Sequence, residues 1–455
     1  MVATERVRRG HIRSADLPTH RGASVDLPAR LDGPGALDRW HDRVHDPAAL
    51  IVLDLFCGAG GMSEGFEAEG FVVAAGIDAD AAACATYAAN ATGKTLCHDL
   101  ACVHTPDQAQ ALVAGLGIPR VDVIVGGPPC QGFSVVGRAR IRSLPREEQR
   151  REILGRNELY RNFFRFVEAL RPLMFVIENV QAMRTWEDGL LFQAMLDTAR
   201  ALGYDTFEDV LNAADYGVPQ SRRRQFIVGS RIGRVFRFPA SRGLPAVSLD
   251  EAIGDLPVVQ APSLVETLPY NPRRIGPYQQ LMRSRVRAGD AGVVHDHVVR
   301  PVRDDDREVF RLMEPGDRYL DIDPRYRRYD DRSFEDRYFK LRPDIPCITI
   351  TAHMAKDGYR YIHWDRDQCR TLSVREAARA QSFDDAFRFA GHRSNRYRQI
   401  GNAVPPLLAR ELAVRVRRAI EGGHDVVEDR EWQLALPWPD RLLPRQGQER
   451  RSDGE

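Results

Sequence analysis

A cysteine and a glutamate each follow an apolar segment typical of a buried β-strand. Cys130 lies in the loop Gly126-Gly-Pro-Pro-Cys-Gln-Gly-Phe-Ser134, directly after the apolar run 121–125, and Glu178 follows the run 174–177. Two prolines restrict the backbone before Cys130, and the flanking glycines leave space beside its thiol. Because a free thiol has a pKa of about 8.5, attack near neutral pH requires a site that stabilises the thiolate. These residues predict a cysteine nucleophile beside a carboxyl group that can protonate a ring nitrogen. Without Cys130, a salt-bridged glutamate would be an equally good interpretation of Glu178.

A glycine-rich loop follows the first apolar run of the chain. The sequence Asp54-Leu-Phe-Cys-Gly-Ala-Gly-Gly61 comes directly before a helical pattern, where glycines let a ligand approach the backbone. Asp78 lies 20 residues beyond Gly58, at a spacing that suits hydrogen bonds to ribose hydroxyls. A dinucleotide fingerprint would need a glycine at position 63, which is Ser63. The pattern indicates an adenosine-containing ligand, and an ordinary tight turn with a solvated aspartate remains equally open.

Three consecutive arginines precede another apolar run. They lie in Pro219-Gln-Ser-Arg-Arg-Arg-Gln225, and strand alternation places Arg222 and Arg224 on one face and Arg223 on the other. Most such runs are solvated or face phosphates. Two guanidinium groups on one face at the start of a strand could instead donate to a carbonyl oxygen or a carboxylate.

These residues need a scaffold that brings strand ends together. Short apolar runs alternate with helical patterns from residue 50 to about residue 230, which predicts an α/β fold with a mostly parallel sheet covered by helices on both faces. Parallel strands end on the same edge, so Cys130 and Glu178 are expected to face one crevice.

The alternation stops after Ser230, and roughly 110 residues rich in Pro, Arg, Asp and Tyr follow. Ser373 and Glu376 form a capping-box helix start, and a last helix beginning near Pro405 carries an apolar stripe that needs a partner surface. We predict a poorly ordered leader over 1–49, a catalytic domain over 50–230 completed by 396–425, a second lobe over 231–395 and a charged tail over 426–455.

Composition sets limits on the class of protein. The chain has 65 basic and 64 acidic residues and a net charge of +1, which argues against a tail-driven polyanion binder but permits a local basic face. Only Lys94, Lys340 and Lys356 are lysines, a skew that coding bias explains. The seven cysteines include no CxxC pair, which disfavours a disulfide framework or a zinc knuckle. No apolar run approaches the ~20 residues that span a membrane. We expect a soluble cytoplasmic protein with no metal and no membrane partner.

Together the motifs resemble those of the DNA (cytosine-5)-methyltransferase family, in its bacterial restriction-modification form. Two further blocks, Arg370–Phe383 and Gln399-Ile-Gly-Asn-Ala-Val404, complete the family order. The resemblance runs from about Ile51 to Ala409, apart from the variable segment before Leu341. It implies a Rossmann-like methyltransferase domain with a smaller target-recognition lobe.

The resemblance implies a role for each catalytic residue. Cys130 attacks carbon 6 of cytosine, which makes carbon 5 nucleophilic, and Gln131 stands beside it in the catalytic loop. Glu178 protonates or hydrogen-bonds ring nitrogen 3. Arg224 contacts the exocyclic carbonyl, and Arg222 supports it from behind.

S-adenosyl-L-methionine is the methyl donor that the resemblance implies, and no metal is required. Phe56 lies against the adenine and Asp78 holds the ribose. Asp99 meets the adenine amine. A large aromatic residue often follows the ribose acid in this family, whereas this chain has Ala79. The remaining cofactor-binding residues border the methionine part or close the pocket, and they are Gly58, Gly60, Pro128, Asn402 and Val404.

Double-stranded DNA is the partner that the resemblance implies, with the target cytosine flipped out of the helix at a cost of a few kcal/mol. Residues 134–156 carry a net charge of +4 and residues 271–303 a net charge of +5, so both segments are expected to face DNA. We expect a monomer, and pairing with a restriction endonuclease is possible in this family.

Three other functions were weighed. An RNA cytosine-5 methyltransferase would use the same scaffold, although the long variable segment favours a lobe that reads a duplex. A non-catalytic sequence-specific DNA-binding protein is disfavoured because Cys130, Glu178 and Arg224 are all present. A nicotinamide oxidoreductase is disfavoured by Ser63 and leaves the Pro-Pro-Cys-Gln loop unexplained.

Overall fold

One eight-stranded sheet positions the site in this computed structural model, which describes residues 25–27, 36–129 and 158–422 apart from 244, 274, 330 and 332–336. In chain order its strands are β1 (Val25–Leu27), β2 (Ile51–Leu55), β3 (Val72–Asp78), β4 (Lys94–Cys97), β5 (Val123–Gly126), β6 (Met174–Val180), β7 (Asp205–Asn212) and β9 (Arg223–Ser230). Strand β8 (Gln220–Ser221) pairs with β12 (Cys347–Ile348), and β10 (Thr267–Pro269) pairs with β11 (Val293–His295).

The spatial order of the large sheet is β1-β4-β3-β2-β5-β6-β9-β7. Strands β4, β3, β2, β5 and β6 are mutually parallel, whereas β9 runs antiparallel to both β6 and β7, and β1 runs antiparallel to β4. The strand order therefore reverses between β2 and β5, and a crevice opens there at the carboxyl ends of the strands.

Helices cover both faces of the sheet, as the alternating pattern predicted. Their ranges are α1 (Ala36–His45), α2 (Gly61–Ala68), α3 (Ala81–Asn90), α4 (Pro106–Gly115), α5 (Leu159–Leu170), α6 (Leu190–Ala201), α7 (Leu249–Ile253), α8 (Pro277–Arg283), α9 (Asp304–Leu312), α10 (Val374–Ala380), α11 (Arg393–Asn402) and α12 (Pro406–Glu421). No helix in these described ranges is long and apolar enough to cross a membrane.

The period-two alternation of each strand divides the core into two layers. Ile51 and Leu53 of β2 pack with α1, α4, α5 and α6 on one face, whereas Val52 packs with α2 and α12 on the other. The second layer also takes in Tyr278 of α8 and Phe383, so the apolar core continues from the sheet into the later part of the chain.

Helix α1 is packed against the sheet, so residues 36–45 of the predicted leader are ordered; residues 1–24 and 28–35 of the leader and the predicted tail over 426–455 lie outside the described residues. Trp40 is 4% exposed, its indole N–H donates to the Ala74 carbonyl at 3.0 Å, and the Lys94 ammonium lies 4.2 Å above its ring. Val44, one turn later, is fully buried. Trp40 and Val44 alone give too weak a helical periodicity of apolar residues for this helix to be predicted from the sequence.

Helix α12 finds the partner surface that its apolar stripe required. Leu408, Leu412 and Val416 are buried in the layer shared with α2. Gly65 of α2 allows the close approach, because a Cβ there would lie 2.5 Å from the Cβ of Ala409. The predicted capping box is also confirmed at the start of α10, where Ser373 and Glu376 satisfy each other's backbone N–H groups.

Buried arginines connect segments of the last third of the chain by ion pairs. Arg370 forms two hydrogen bonds with Glu376, and Arg379 is held between Asp255 and Asp385. All of these side chains are buried, and pairing is what makes such burial tolerable.

Candidate active site

A cavity of about 660 Å³ opens at the carboxyl edge of the parallel strands. The loops after β2, β3, β4, β5 and β6 line it, and the start of β9 and the segment after α11 close it. Its walls contain Asp54, Phe56, Cys57, Gly58, Asp78, Ala79, His98, Asp99, Pro128, Pro129, Glu178, Asn179, Arg222, Arg224, Asn402 and Val404. The structure therefore brings together every described residue proposed for the site except Gly60.

The glycine loop owes its shape to left-handed backbone. Phe56 has φ of 57° and Gly58 has φ of 54°, a region that glycine enters without steric cost. Gly60, with φ of 94°, precedes α2 and faces the protein interior, because a Cβ there would lie 2.9 Å from the ring of Tyr87. Gly60 therefore shapes the loop from behind the cavity wall.

Asp78 is fixed by backbone donors at the end of β3. Its Oδ2 accepts from the Gly58 N–H at 2.9 Å and its Oδ1 from the Asp80 N–H at 2.8 Å. Burial raises the pKa of Asp78, and those two hydrogen bonds oppose the shift. Asp99 follows the neighbouring strand β4, and its carboxylate accepts a hydrogen bond from the Ala101 N–H at 2.9 Å.

Asp54 is a wall residue that sequence reasoning did not single out. It is the next-to-last residue of β2, at 1% exposure, and its Oδ2 accepts from the Ser63 hydroxyl at 2.6 Å. The Ser63 oxygen also lies 2.8 Å from the Tyr87 hydroxyl. Burial, helped by the charge of Asp78, raises the pKa of Asp54 to about 7. The available signal was its position near the end of β2, directly before the glycine loop.

Glu178 and Arg224 form an ion pair on neighbouring antiparallel strands. Arg224 Nε lies 3.0 Å from Glu178 Oε1, and both side chains are about nine-tenths buried. Asn179 Nδ2 donates to the Pro128 carbonyl at 3.2 Å, which anchors the Pro-Pro loop to β6. Cys130 and Gln131 lie outside the described residues, as does the 134–156 loop, and their roles stay predictions.

Arg222 is fully buried behind Arg224, with 1% exposure. Its guanidinium donates to the carbonyls of Ile350 at 2.7 Å and Gly401 at 3.1 Å. Among the described residues its Nε has no partner, and it pairs with no carboxylate. Burial, together with the charge of Arg224, lowers the pKa of Arg222 to about 9. Arg222 therefore ties the base of β9 to two distant segments of chain.

The segment after α11 forms the wall opposite the glycine loop. Gly401 packs so closely against Thr351 that any side chain would clash with that backbone, and Gly61 does the same against the Val404 carbonyl. Gln220 was also missed by sequence reasoning. It donates to the Ala380 carbonyl at 3.1 Å and accepts from the Ile350 N–H at 2.9 Å. These contacts hold Asn402 and Val404 at the cavity.

The charges in the cavity wall are segregated. Three carboxylates, Asp54, Asp78 and Asp99, lie at the ends of β2, β3 and β4, with His98 as the only basic side chain among the described residues there. Two guanidinium groups and one carboxylate, Arg222, Arg224 and Glu178, lie on the β6 and β9 side. One end of the cavity favours a cationic group and the other an electron-rich or anionic group.

Four arginines of the basic segment 271–303 are engaged within the protein, whereas Arg273 and Arg287 are exposed and their contact with DNA stays a prediction. Arg283 lies 3.2 Å from Asp385, Arg285 pairs with Glu64 and Asp384, and Arg300 donates to the Met354 carbonyl. Arg303 pairs with Asp305. These arginines satisfy internal acceptors, which the net charge of a segment cannot reveal. Arg274 lies outside the described residues.

Metal ligands are not grouped in the part of the chain that the structure describes. No set of three or more His, Cys, Asp and Glu side chains there could hold a metal ion. The described cysteines, Cys57, Cys84, Cys97, Cys102, Cys347 and Cys369, are free thiols.

Comparison with known proteins links this architecture to one family. The family model described as C-5 cytosine-specific DNA methylase matches residues 50–418. The chain is 32% identical to the Type II methyltransferase M.AgeI of Thalassovita gelatinovora, across 82% of this chain and 100% of that protein. It is 33% identical to the Type II methyltransferase M.XorII of Xanthomonas oryzae pv. oryzae, across 81% of this chain and 85% of that protein.

Solved structures share the fold. A candidate DNA modification methyltransferase encoded within an E. coli prophage superposes with a TM-score of 0.66 at 24% identity, covering 82% of this chain and 100% of that one. The methyltransferase EhMeth of Entamoeba histolytica superposes with a TM-score of 0.53 at 13% identity, covering 82% and 99% of the two chains.

Proposed function

The chain belongs to the C-5 cytosine-specific DNA methylase family. We propose that its cavity binds a cytosine flipped out of double-stranded DNA and that the enzyme methylates carbon 5 of this base. The family resemblance read from the motifs is confirmed. With it are confirmed the methyltransferase fold, the DNA (cytosine-5)-methyltransferase activity and S-adenosyl-L-methionine as methyl donor.

The segregation of charge in the cavity is the observation that carries the proposal. S-adenosyl-L-methionine bears a sulfonium cation, and the three carboxylates near the carboxyl ends of β2, β3 and β4 suit it. A cytosine presents a ring nitrogen and an electron-rich carbonyl, and Glu178 with Arg224 suits those groups. The cavity thus has one end for each of the two reactants.

The cofactor end can hold the donor by contacts that its residues already favour. Asp78 lies at the end of β3, where its carboxylate can accept hydrogen bonds from the ribose hydroxyls. Asp99 and Phe56 lie on the side assigned to the adenine. Gly58, Pro128, Asn402 and Val404 border the methionine side. When bound, the donor supplies an electrophilic methyl group on its sulfonium.

The base end supplies the acid and the nucleophile. The Cys130 thiolate attacks carbon 6 while Glu178 protonates or hydrogen-bonds nitrogen 3, so that electron density reaches carbon 5. Arg224 donates to the exocyclic carbonyl. After methyl transfer, the carbon 5 proton is lost to a base, the bond between Cys130 and carbon 6 breaks, and any proton on nitrogen 3 returns to Glu178, which restores the aromatic ring, the thiolate and the acid. Arg222 holds β9 in place, and Gln131 supports the loop.

A basic rim next to the cavity supports DNA as the partner. His353, Lys356 and Arg360 are exposed, and none of the three has a side-chain partner in the described part of the chain. The rim segment is tied to the site because Arg222 binds the Ile350 carbonyl and Thr351 abuts Gly401. We therefore propose that this rim contacts DNA phosphates beside the target cytosine.

The relatives named Type II methyltransferases support a role in restriction and modification. From those names we propose pairing with an endonuclease of the same DNA specificity. We also propose that the chain acts as a monomer in the cytoplasm, with the recognition lobe near 231–395 and the catalytic domain over 50–230 and 396–425.

A methyl-transfer assay on two nucleic acids tests the proposal. Purified protein would be incubated with S-adenosyl-L-methionine carrying a labelled methyl group and either unmethylated duplex DNA or transfer RNA. The proposal predicts 5-methylcytosine in the nucleosides released from DNA and background label in RNA. Label in RNA without label in DNA would contradict it, and would favour the RNA methyltransferase alternative.

A further inference from the structure

Asp54 is a buried carboxylate in the cavity wall whose only side-chain partner is neutral. The Ser63 hydroxyl donates to it at 2.6 Å, and within the described part of the chain Asp54 forms no ion pair. A carboxylate buried without a cation is costly, so such a group either takes up a proton or gains a cationic partner, which here a ligand in the cavity could supply. The cavity beside it therefore lacks a positive charge that a ligand would bring.

The groups that face Asp54 are acids or neutral donors. Asp78 on β3 is the nearest charged group, Cys57 belongs to the glycine loop, and Tyr87 reaches it through Ser63 from α3. Strand β5, on the other side of β2, consists of Val123–Gly126 and brings no titratable side chain. Across the cavity the titratable wall residues are His98 and Asp99, with Glu178 and the two arginines at the far end.

The reaction changes the charge of its cofactor by one unit at one atom. The donor carries a sulfonium cation, whereas the product left after methyl transfer has an uncharged thioether at the same position. An ionised carboxylate in the wall favours the first over the second, and a protonated carboxylic acid does so far less. This step rests on the proposed function, because it assumes that the cavity binds S-adenosyl-L-methionine.

We infer that Asp54 is the residue by which the site tells the charged methyl donor from its uncharged product, and that this discrimination is linked to uptake and release of a proton. Donor binding stabilises the ionised carboxylate, so the proton leaves Asp54 as the donor enters. Loss of the sulfonium charge on methyl transfer lets Asp54 take a proton back, which weakens the hold on the product relative to fresh donor.

The pH window follows from the environment of the carboxyl group. Because burial raises the pKa of Asp54 to about 7, the acid is mostly neutral at pH 6 and mostly ionised at pH 8. Donor affinity is therefore expected to rise with pH across this range. The ratio of product to donor dissociation constants is expected to rise by up to about tenfold between pH 6 and pH 8, since one pKa unit corresponds to a factor of ten.

Calorimetric titration without DNA measures this directly. S-adenosyl-L-methionine and S-adenosyl-L-homocysteine would each be titrated into the wild-type protein and Asp54→Asn from pH 6 to pH 8.5. Asparagine keeps the shape and the Ser63 contact but cannot ionise, so the rise of the ratio with pH should disappear. The ligand's own ammonium group titrates in both experiments, and the difference between the two proteins isolates Asp54.

Two further variants sharpen the result. Ser63→Ala removes the hydrogen bond that favours the ionised form, so the midpoint of the rise should move to higher pH. Asp107→Asn removes an exposed carboxylate from the first turn of α4 and should behave as wild type. An unchanged pH dependence in Asp54→Asn would overturn the inference and leave the proposed function standing. Failure of the wild-type protein to bind either ligand at any pH would overturn both.

Discussion

Arg224 Nε lies 3.0 Å from Glu178 Oε1, so the two side chains assigned to the cytosine ring already hold each other. The pair joins two antiparallel strands at the cavity, and Arg222 stands behind it, where in the described part of the chain its guanidinium donates to the backbone carbonyls of Ile350 and Gly401. An arriving base therefore meets an acid and a donor whose orientation is set in advance, and such preorganisation is what catalysis requires.

We expect Glu178→Gln to lower the rate of methyl transfer by roughly 10²–10⁴, because the amide cannot protonate nitrogen 3. Affinity for S-adenosyl-L-methionine should be unchanged, since Glu178 lies at the opposite end of the cavity from the carboxylates assigned to the cofactor. Single-turnover rates and calorimetry measure the two quantities. Glu168→Gln, on the exposed face of α5, is the matched control. A Glu178→Gln protein with wild-type turnover would rule out the acid role.

Arg222→Lys tests the link between β9 and the segment after α11. A lysine cannot bridge the Ile350 and Gly401 carbonyls as the planar guanidinium does. Losing one charge-assisted hydrogen bond near Asn402 should weaken S-adenosyl-L-methionine binding by roughly tenfold. Arg223→Lys, the exposed neighbour, should leave the dissociation constant unchanged. Equal effects of the two substitutions would argue against this bridge.

The sequence predicted those site residues whose position depends on local motifs. It did not predict contacts between residues that are distant in the chain. The strand-loop motifs placed Asp78 and Glu178 at one edge, because parallel strands leave no other arrangement. The Ser373 capping box was readable for the same local reason. Partner choice between distant charges was not readable. Arg283 and Arg285 add to the net charge of 271–303, but they close ion pairs with the protein itself.

Burial explains the other omissions. Asp54 lies among apolar residues in a strand, and only the fold shows that it borders the cavity. Trp40 anchors α1 through a single indole hydrogen bond to Ala74, a contact 34 residues away that no local periodicity encodes.

Lys356 is the lysine best placed to meet DNA. Lys94 is engaged with the Leu116 carbonyl and the Trp40 ring, and Lys340 with the Phe310 and Met313 carbonyls. We expect Lys356→Gln to weaken DNA binding and to reduce the slope of log affinity against log salt by about 1.

Fluorescence anisotropy over a range of salt concentrations measures the slope for Lys356→Gln. Arg171→Gln removes a positive charge just before β6, at the sheet edge opposite the cavity, and serves as its control. A full salt slope in Lys356→Gln would remove this residue from the DNA contact.

Asp306 holds the core of the segment around α9. Its carboxylate accepts from the hydroxyls of Tyr338 at 3.0 Å and Tyr359 at 2.7 Å, and it pairs with Arg328. Asp306→Ala should lower the free energy of unfolding by about 1–3 kcal/mol, because it leaves the two tyrosine hydroxyls without their acceptor, whereas Arg328 keeps its ion pair with Asp305. Denaturant titration measures the change. Asp304→Ala, on the same helix with a fully exposed side chain, should change it little. Similar losses in both variants would contradict the assignment.

Trapping of the covalent complex tests the central mechanism most directly. Fluorine at carbon 5 replaces the proton whose loss releases the enzyme, so duplex DNA carrying 5-fluorocytosine at the target position should form a stable adduct in the presence of S-adenosyl-L-methionine. We expect this adduct with the wild-type protein and with Cys102→Ala, an exposed cysteine outside the cavity wall. We expect none with Cys130→Ala, which should also fail to methylate DNA. Methylation or adduct formation by the Cys130→Ala protein would contradict the account.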